Sequence, residues 1–111
     1  MTKAIRLTIP ALVALGIALP ALAADEAYVL VIQDHRFEPA EITVPAGQRV
    51  KLVVENRDTT PEEFESSDLR REKIVPGNGK ATIWLGPLPQ GEYQFVGEFH
   101  ESTAQGKLIA Q

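Results

Sequence analysis

The chain has 111 residues, 11 basic and 15 acidic side chains, a formal net charge of −4, two histidines and no cysteine. That balance excludes a nucleic-acid partner, which would require clustered Lys and Arg to neutralise phosphates. The cysteine count excludes a disulfide-stapled framework and every site that needs a thiolate.

Lys3 and Arg6 form a short basic region, Ile9 to Leu19 an apolar one, and Ala21-Leu22-Ala23 a small-residue cleavage signal. This pattern predicts a secretory signal peptide over residues 1–23. The apolar stretch is broken by Pro10, Gly16 and Pro20 and is short for a membrane span of about 20 residues. Processing would leave one domain over 24–111, with nine basic residues against fifteen acidic ones and no membrane span. The only methionine is Met1, so the exported protein would carry no sulfur ligand.

Short runs rich in Val, Ile, Phe, Tyr and Thr recur between turn residues, and helix signals are scarce, which predicts an all-β sandwich of six or seven strands. Tyr28 to Gln33 is the first. Ile42-Thr43-Val44 follows Pro39, and the turn Pro45-Ala46-Gly47 delivers Gln48 to Glu55, where Val50, Leu52 and Val54 alternate with Lys51, Val53 and Glu55. Between Asn56 and Lys73 the pattern breaks into polar and acidic residues, with Ser67 or Asp68 able to cap one helical turn. Glu72 to Val75 and Lys80 to Leu85 flank the turn Pro76-Gly77-Asn78-Gly79. Glu92 to Phe99 places Tyr93, Phe95, Gly97 and Phe99 on one face, and Gly106 to Ala110 is the last strand.

Four segments together resemble a cupredoxin. Phe37-Glu38-Pro39-Ala40-Glu41-Ile42-Thr43-Val44-Pro45-Ala46-Gly47-Gln48 is similar to that family's proline-led second strand and turn. Asn56 to Phe64 resembles the segment ending in a ligand histidine before a core phenylalanine, with Glu63 at the histidine position. Pro87 to Phe95 resembles the turn and aromatic strand leading to the ligand loop, and Gly106-Lys107-Leu108 the strand that closes it. The resemblance implies a cupredoxin-like Greek-key β-sandwich of six to eight strands. It also puts the family's cysteine on Gly97, its second histidine on His100 and its methionine near Ala104. Only the histidine is present, and without a thiolate a blue-copper electron carrier is excluded by composition.

Within that family, Glu63-Phe64-Glu65-Ser66, Glu72-Lys73, Gly97-Glu98-Phe99-His100 and Thr103-Ala104-Gln105-Gly106 resemble the periplasmic cupredoxin of bacterial ferrous-iron transport systems and the cupredoxin domain of EfeO-type iron-binding proteins. This implies a periplasmic protein binding iron, or copper, as an accessory of iron uptake, with ferrous iron oxidation as an associated step and membrane components of the transporter as partners.

The residues expected to ligate metal are Glu63, Glu65, Glu98 and His100. Glu63 and Glu65 stand two apart, as do Glu98 and His100, so in extended chain each pair points one way. Three carboxylates and an imidazole make a hard donor set suited to iron, tolerable for Cu(II) and poor for Cu(I). Asp68, Glu72 and Glu101 are candidates for an outer shell or second site, and His35 for a further ligand. Trp84, Tyr28 and Tyr93 are read as packing residues with a polar tip. No serine has a placed base, no glycine-rich phosphate loop is present, and two histidines cannot fill a three-histidine zinc site. The competing reading is a metal-free β-sandwich interaction module whose acidic loop meets a basic partner.

Overall fold

The computed structural model describes residues 26–111; the expected leader, residues 1–23, lies outside them. Nine strands follow in chain order: β1 Ala27–Gln33, β2 Arg36–Glu38, β3 Glu41–Val44, β4 Val50–Asn56, β5 Glu62–Ser66, β6 Arg71–Val75, β7 Lys80–Leu85, β8 Gly91–Gly97 and β9 Gln105–Ala110. They form a four-stranded sheet in the order β2-β1-β4-β7 and a five-stranded sheet in the order β3-β9-β8-β5-β6. Each sheet contains one parallel pair, β1 with β4 and β3 with β9, because the chain leaves one sheet for the other between those partners. No helix among the described residues is long and apolar enough to cross a membrane.

The period-two pattern of β4 explains the packing. Val50, Leu52, Val54 and Asn56 are buried, while Lys51, Val53 and Glu55 face outward and are half-buried. From the other strands Leu30, Ile32, Phe37, Phe64, Ile83, Leu85, Phe95 and Leu108 complete the core. Phe37 meets Phe95 edge-on at 4.9 Å between ring centroids, and Phe64 lies over Phe95 at 5.2 Å. Burying each such ring contributes about 1.5–3 kcal/mol.

The nine strands exceed the six to eight expected, in part because Arg36–Glu38 pairs with β1 as a short strand outside that expectation. Two further segments differ from the sequence expectation. The acidic stretch after Asn56 holds a full strand, β5, paired to both β6 and β8. Phe64 is the reason: it fills the core from the centre of the segment, and the chain must extend to place it there. Ser67 to Arg70 forms a tight turn rather than a helical one, closed by Ser66 Oγ, which accepts the N–H of Leu69 and donates to the carbonyl of Gln94. The aromatic strand stops at Gly97 instead of reaching Phe99. Gly97 N–H donates to the carbonyl of Ala104, and Ala104 N–H to that of His100, so residues Glu98–His100 curl into a 3-10 turn. Phe99, expected to continue the face of Tyr93 and Phe95, is consequently 49 % exposed.

Loops pin the end of the sandwich that holds this turn. Asp34 and His35, both with positive φ, make the two-residue turn joining β1 to β2. The Asp58 carboxylate accepts both of their backbone N–H groups at 2.8 and 3.0 Å. Buried Asn56 holds the loop that carries Asp58, donating from Nδ2 to the carbonyls of Thr60 and Val75 and accepting the N–H of Asp58. At Gly77 a Cβ would stand 2.0 Å from the Thr59 carbonyl oxygen, so only glycine lets these two loops touch.

Candidate metal centre

Strand β5 alternates buried and half-buried residues, and its two faces carry different chemistry. Facing inward with Phe64 and Ser66 is Glu62, only 1 % exposed. Its Oε1 accepts the backbone N–H of Glu63 at 3.0 Å and of Phe99 at 2.8 Å. Its Oε2 lies 2.6 Å from His100 Nδ1. A buried carboxylate needs this degree of satisfaction, because burying a charge without partners is strongly unfavourable.

The His100 ring is stacked face to face on His35, with centroids 3.5 Å apart and planes within 10°. The chain's two histidines, 65 positions apart, thus meet over one buried carboxylate. Asp58 stands behind His35. Burial pushes its carboxyl up, but the backbone N–H groups of His35 and Asp34, with the nearby imidazoles of His35 and His100, outweigh that and hold it below its ordinary value of 3.8.

Glu63 and Glu65 lie on the outward face and are joined there by Glu98. Glu63 is raised above its ordinary value of 4.5, first by a hydrogen bond shared with Glu98, then by desolvation and by the charges of Glu98, Glu72 and Glu65. Glu65 is raised as well, by desolvation first, then by the charge of Glu98, a hydrogen bond with it, and the charges of Glu72 and Glu101. Glu65 sits directly opposite Glu72 in the β5–β6 register, a like-charge pairing that is unfavourable in a sheet.

The expected ligands therefore fall into two groups. Glu63, Glu65 and Glu98 gather on the outer surface with Glu72 and Glu101 nearby, whereas His100 is held at Nδ1 by Glu62. Asp68 is turned toward β8, where its Oδ2 accepts the N–H of Gln94. As the side chains lie, no three His, Asp or Glu residues among those described form a ready coordination sphere. Glu62 and Asp58 were not singled out from the sequence. Glu62 was within reach, since it stands two residues before Phe64 and an inward Phe64 in a strand carries residue 62 inward too.

A blue-copper centre does not fit this end. Besides the missing cysteine, a Cβ at Gly97 would come within 2.7 Å of Ala104 Cβ and of Glu62 Cδ, and 2.9 Å of Glu62 Oε2. The Glu62 carboxyl group fills the space that a side chain at position 97 would enter.

A family model described as the cupredoxin-like domain matches residues 7–110. An uncharacterized protein of Rickettsia prowazekii (strain Madrid E) is 46% identical over 80 residues, covering 72% of this chain and 64% of the relative, so the chain spans less than two thirds of that protein's length. Among solved structures, amicyanin from Paracoccus versutus superposes with a TM-score of 0.63 at 17% identity, over 78% of this chain and 83% of that one. Auracyanin A, a blue copper protein from Chloroflexus aurantiacus, gives 0.65 at 16% identity, over 78% and 98%. At these identities the structural likeness speaks for the fold.

Proposed function

Since the chain belongs to the cupredoxin-like family, we propose that it is an exported, periplasmic metal-binding protein that takes iron as its foremost cargo, as an accessory of bacterial iron uptake. Its partners in this reading are the periplasmic or membrane components of the transporter. The observation that carries it is the gathering of Glu63, Glu65 and Glu98, in which the Glu98 carboxyl and the neighbouring acids raise the proton affinity of Glu63 and Glu65.

Carboxylates that compete for protons in this way are stabilised by a shared cation, and oxygen donors suit iron or another hard divalent ion. The three side chains are exposed enough to turn onto a cation, with Glu72 and Glu101 adding negative potential that draws it in. Cu(II) is tolerated by such donors; a blue-copper electron-carrier role is not supported by the residues present. His100 joins the set through whichever ring nitrogen Glu62 leaves free. Oxidation of ferrous iron would need an electron acceptor beyond these groups, so binding is the step assigned to them.

Thermal melts with ferrous, ferric, cupric and zinc ions test the reading. A cation bound only by the folded form at 100 times its Kd adds about 2.7 kcal/mol of stability. Iron should raise Tm, and Glu63→Gln or Glu98→Gln should each remove most of that rise. No shift at micromolar metal would overturn the proposal. The second reading, a metal-free interaction module, is favoured by Phe99, an exposed aromatic between Glu98 and His100; it requires partner binding that persists in chelator.

A further inference from the structure

The short contact between Glu62 and His100 bears on which side of the imidazole meets a cation. Glu62 Oε1 is already occupied by the N–H groups of Glu63 and Phe99. The remaining oxygen, Oε2, lies 2.6 Å from Nδ1, the distance of a charge-assisted hydrogen bond. With a carboxylate as acceptor, Nδ1 carries the hydrogen and donates it. In the neutral ring this leaves the lone pair on Nε2.

We propose that Glu62 is the positioning residue of His100: it holds the ring by Nδ1–H, occupies the inner position between Gly97 and His100, and leaves Nε2 as the ring nitrogen that takes a cation. A metal-binding histidine commonly gives its second N–H to a carboxylate, which fixes the tautomer and raises the basicity of the ligating nitrogen. Here the Glu62 side chain is 2 % exposed while that of His100 is 28 % exposed, so the orienting group is inside and the ligand at the surface. His35 restrains the ring from its face. Asp58 holds the backbone of the His35 turn. The coordinating edge is thereby set before any cation arrives, and the inner position beside Gly97 is closed by the chain's own carboxylate rather than by a metal.

This inference rests on the metal-binding reading only for the use of Nε2; the hold on Nδ1 stands on geometry alone. The test is long-range proton–nitrogen NMR of the uniformly ¹⁵N-labelled, metal-free protein at a pH where the imidazoles are neutral, with His35→Gln used to assign His100. The expected result is a protonated Nδ1 and an unprotonated Nε2 for His100, a preference that collapses toward a mixture in Glu62→Gln. Zinc, as a diamagnetic probe, should then shift the Nε2 resonance and leave Nδ1 bonded, with about tenfold weaker binding in Glu62→Gln. A protonated Nε2 in the metal-free protein, or a zinc-induced shift at Nδ1, would overturn the assignment. If the tautomer is as expected and no cation moves either nitrogen, the hold by Glu62 stands and His100 leaves the ligand set. The wild-type spectra decide the matter even where Glu62→Gln folds poorly.

Discussion

Glu62 and Glu63 are adjacent in one strand, and their surroundings could hardly differ more. The first is buried, with every oxygen committed to a donor. The second faces solvent among other carboxyls and holds its proton more tightly because of them. One step along a β-strand reverses the direction of the side chain, and with it the surroundings of a glutamate: inward it is a fully hydrogen-bonded structural anion, outward one carboxyl among several of like charge. Residue type in an acidic run therefore says little until strand register is known.

The largest effect that would break this contrast is on the inward side. Phe64→Ala removes the ring that fixes the direction of β5 and should destabilise the protein by about 3–5 kcal/mol in urea unfolding. Glu62→Ala should follow at about 2–3 kcal/mol, because His100 and two backbone N–H groups lose an anionic acceptor. Gly97→Ala should lower stability by about 1–2 kcal/mol through overpacking against Ala104 and Glu62. In combination with Glu62→Ala the two losses should sum to less than their separate values, since one of the clashing groups is gone. Additive losses would show that Gly97 and Glu62 do not compete for the same space.

The pH dependence sharpens the same contrast with smaller effects of opposite sign. Glu63 and Glu65 have folded values above 4.5. As pH rises through 4.5 the unfolded chain releases these protons first, so stability falls until the folded values are passed. Glu63→Gln or Glu65→Gln should flatten that fall and slightly raise the neutral-pH Tm of the metal-free protein. Asp58 lies below 3.8. Its contribution is fully present above that value and is lost as pH drops through the folded one, so Asp58→Asn should remove part of the acid-induced loss. Melts from pH 3 to 7 with all three variants would show both slopes; a Glu63→Gln profile parallel to wild type would mean that the outer carboxyls do not interact.

Much of the sandwich was legible in the residues themselves. Lys80 to Leu85 was delimited as found, and the alternation of β4 marked Val50, Leu52 and Val54 as core, because flanking turns and a strict period of two are local signals. β5 escaped because four of its five residues are glutamate or serine, and its extended form is imposed by Phe64 and by pairing with β6 and β8, neither of which is local. The end of β8 was misjudged for a related reason. Phe99 continues the apolar alternation, but Ala104 and Gly97 close a loop that turns it outward. At the site, spacing put Glu63 and Glu65 on one face of an extended segment, but it also paired Glu98 with His100, which the 3-10 turn at Glu98–His100 separates. The stacking of His35 on His100 and the inward carboxylate beneath them depend on three separated segments meeting, which no spacing rule encodes.

The position of β9 has a consequence for the order of assembly. It is the last strand of the sandwich, yet it lies between β3 and β8, parallel to one and antiparallel to the other. Lys107 reaches across both borders, to Glu41 and Glu92. Among the described strands β3 has no other hydrogen-bonded neighbour, so the edge it offers to β9 stays unpaired until β9 is in place. Such long-range closure is slow, and unpaired strand edges invite association. The five-stranded layer is thus completed only when β9 enters between β3 and β8, and until then both of those strands offer it an unpaired edge.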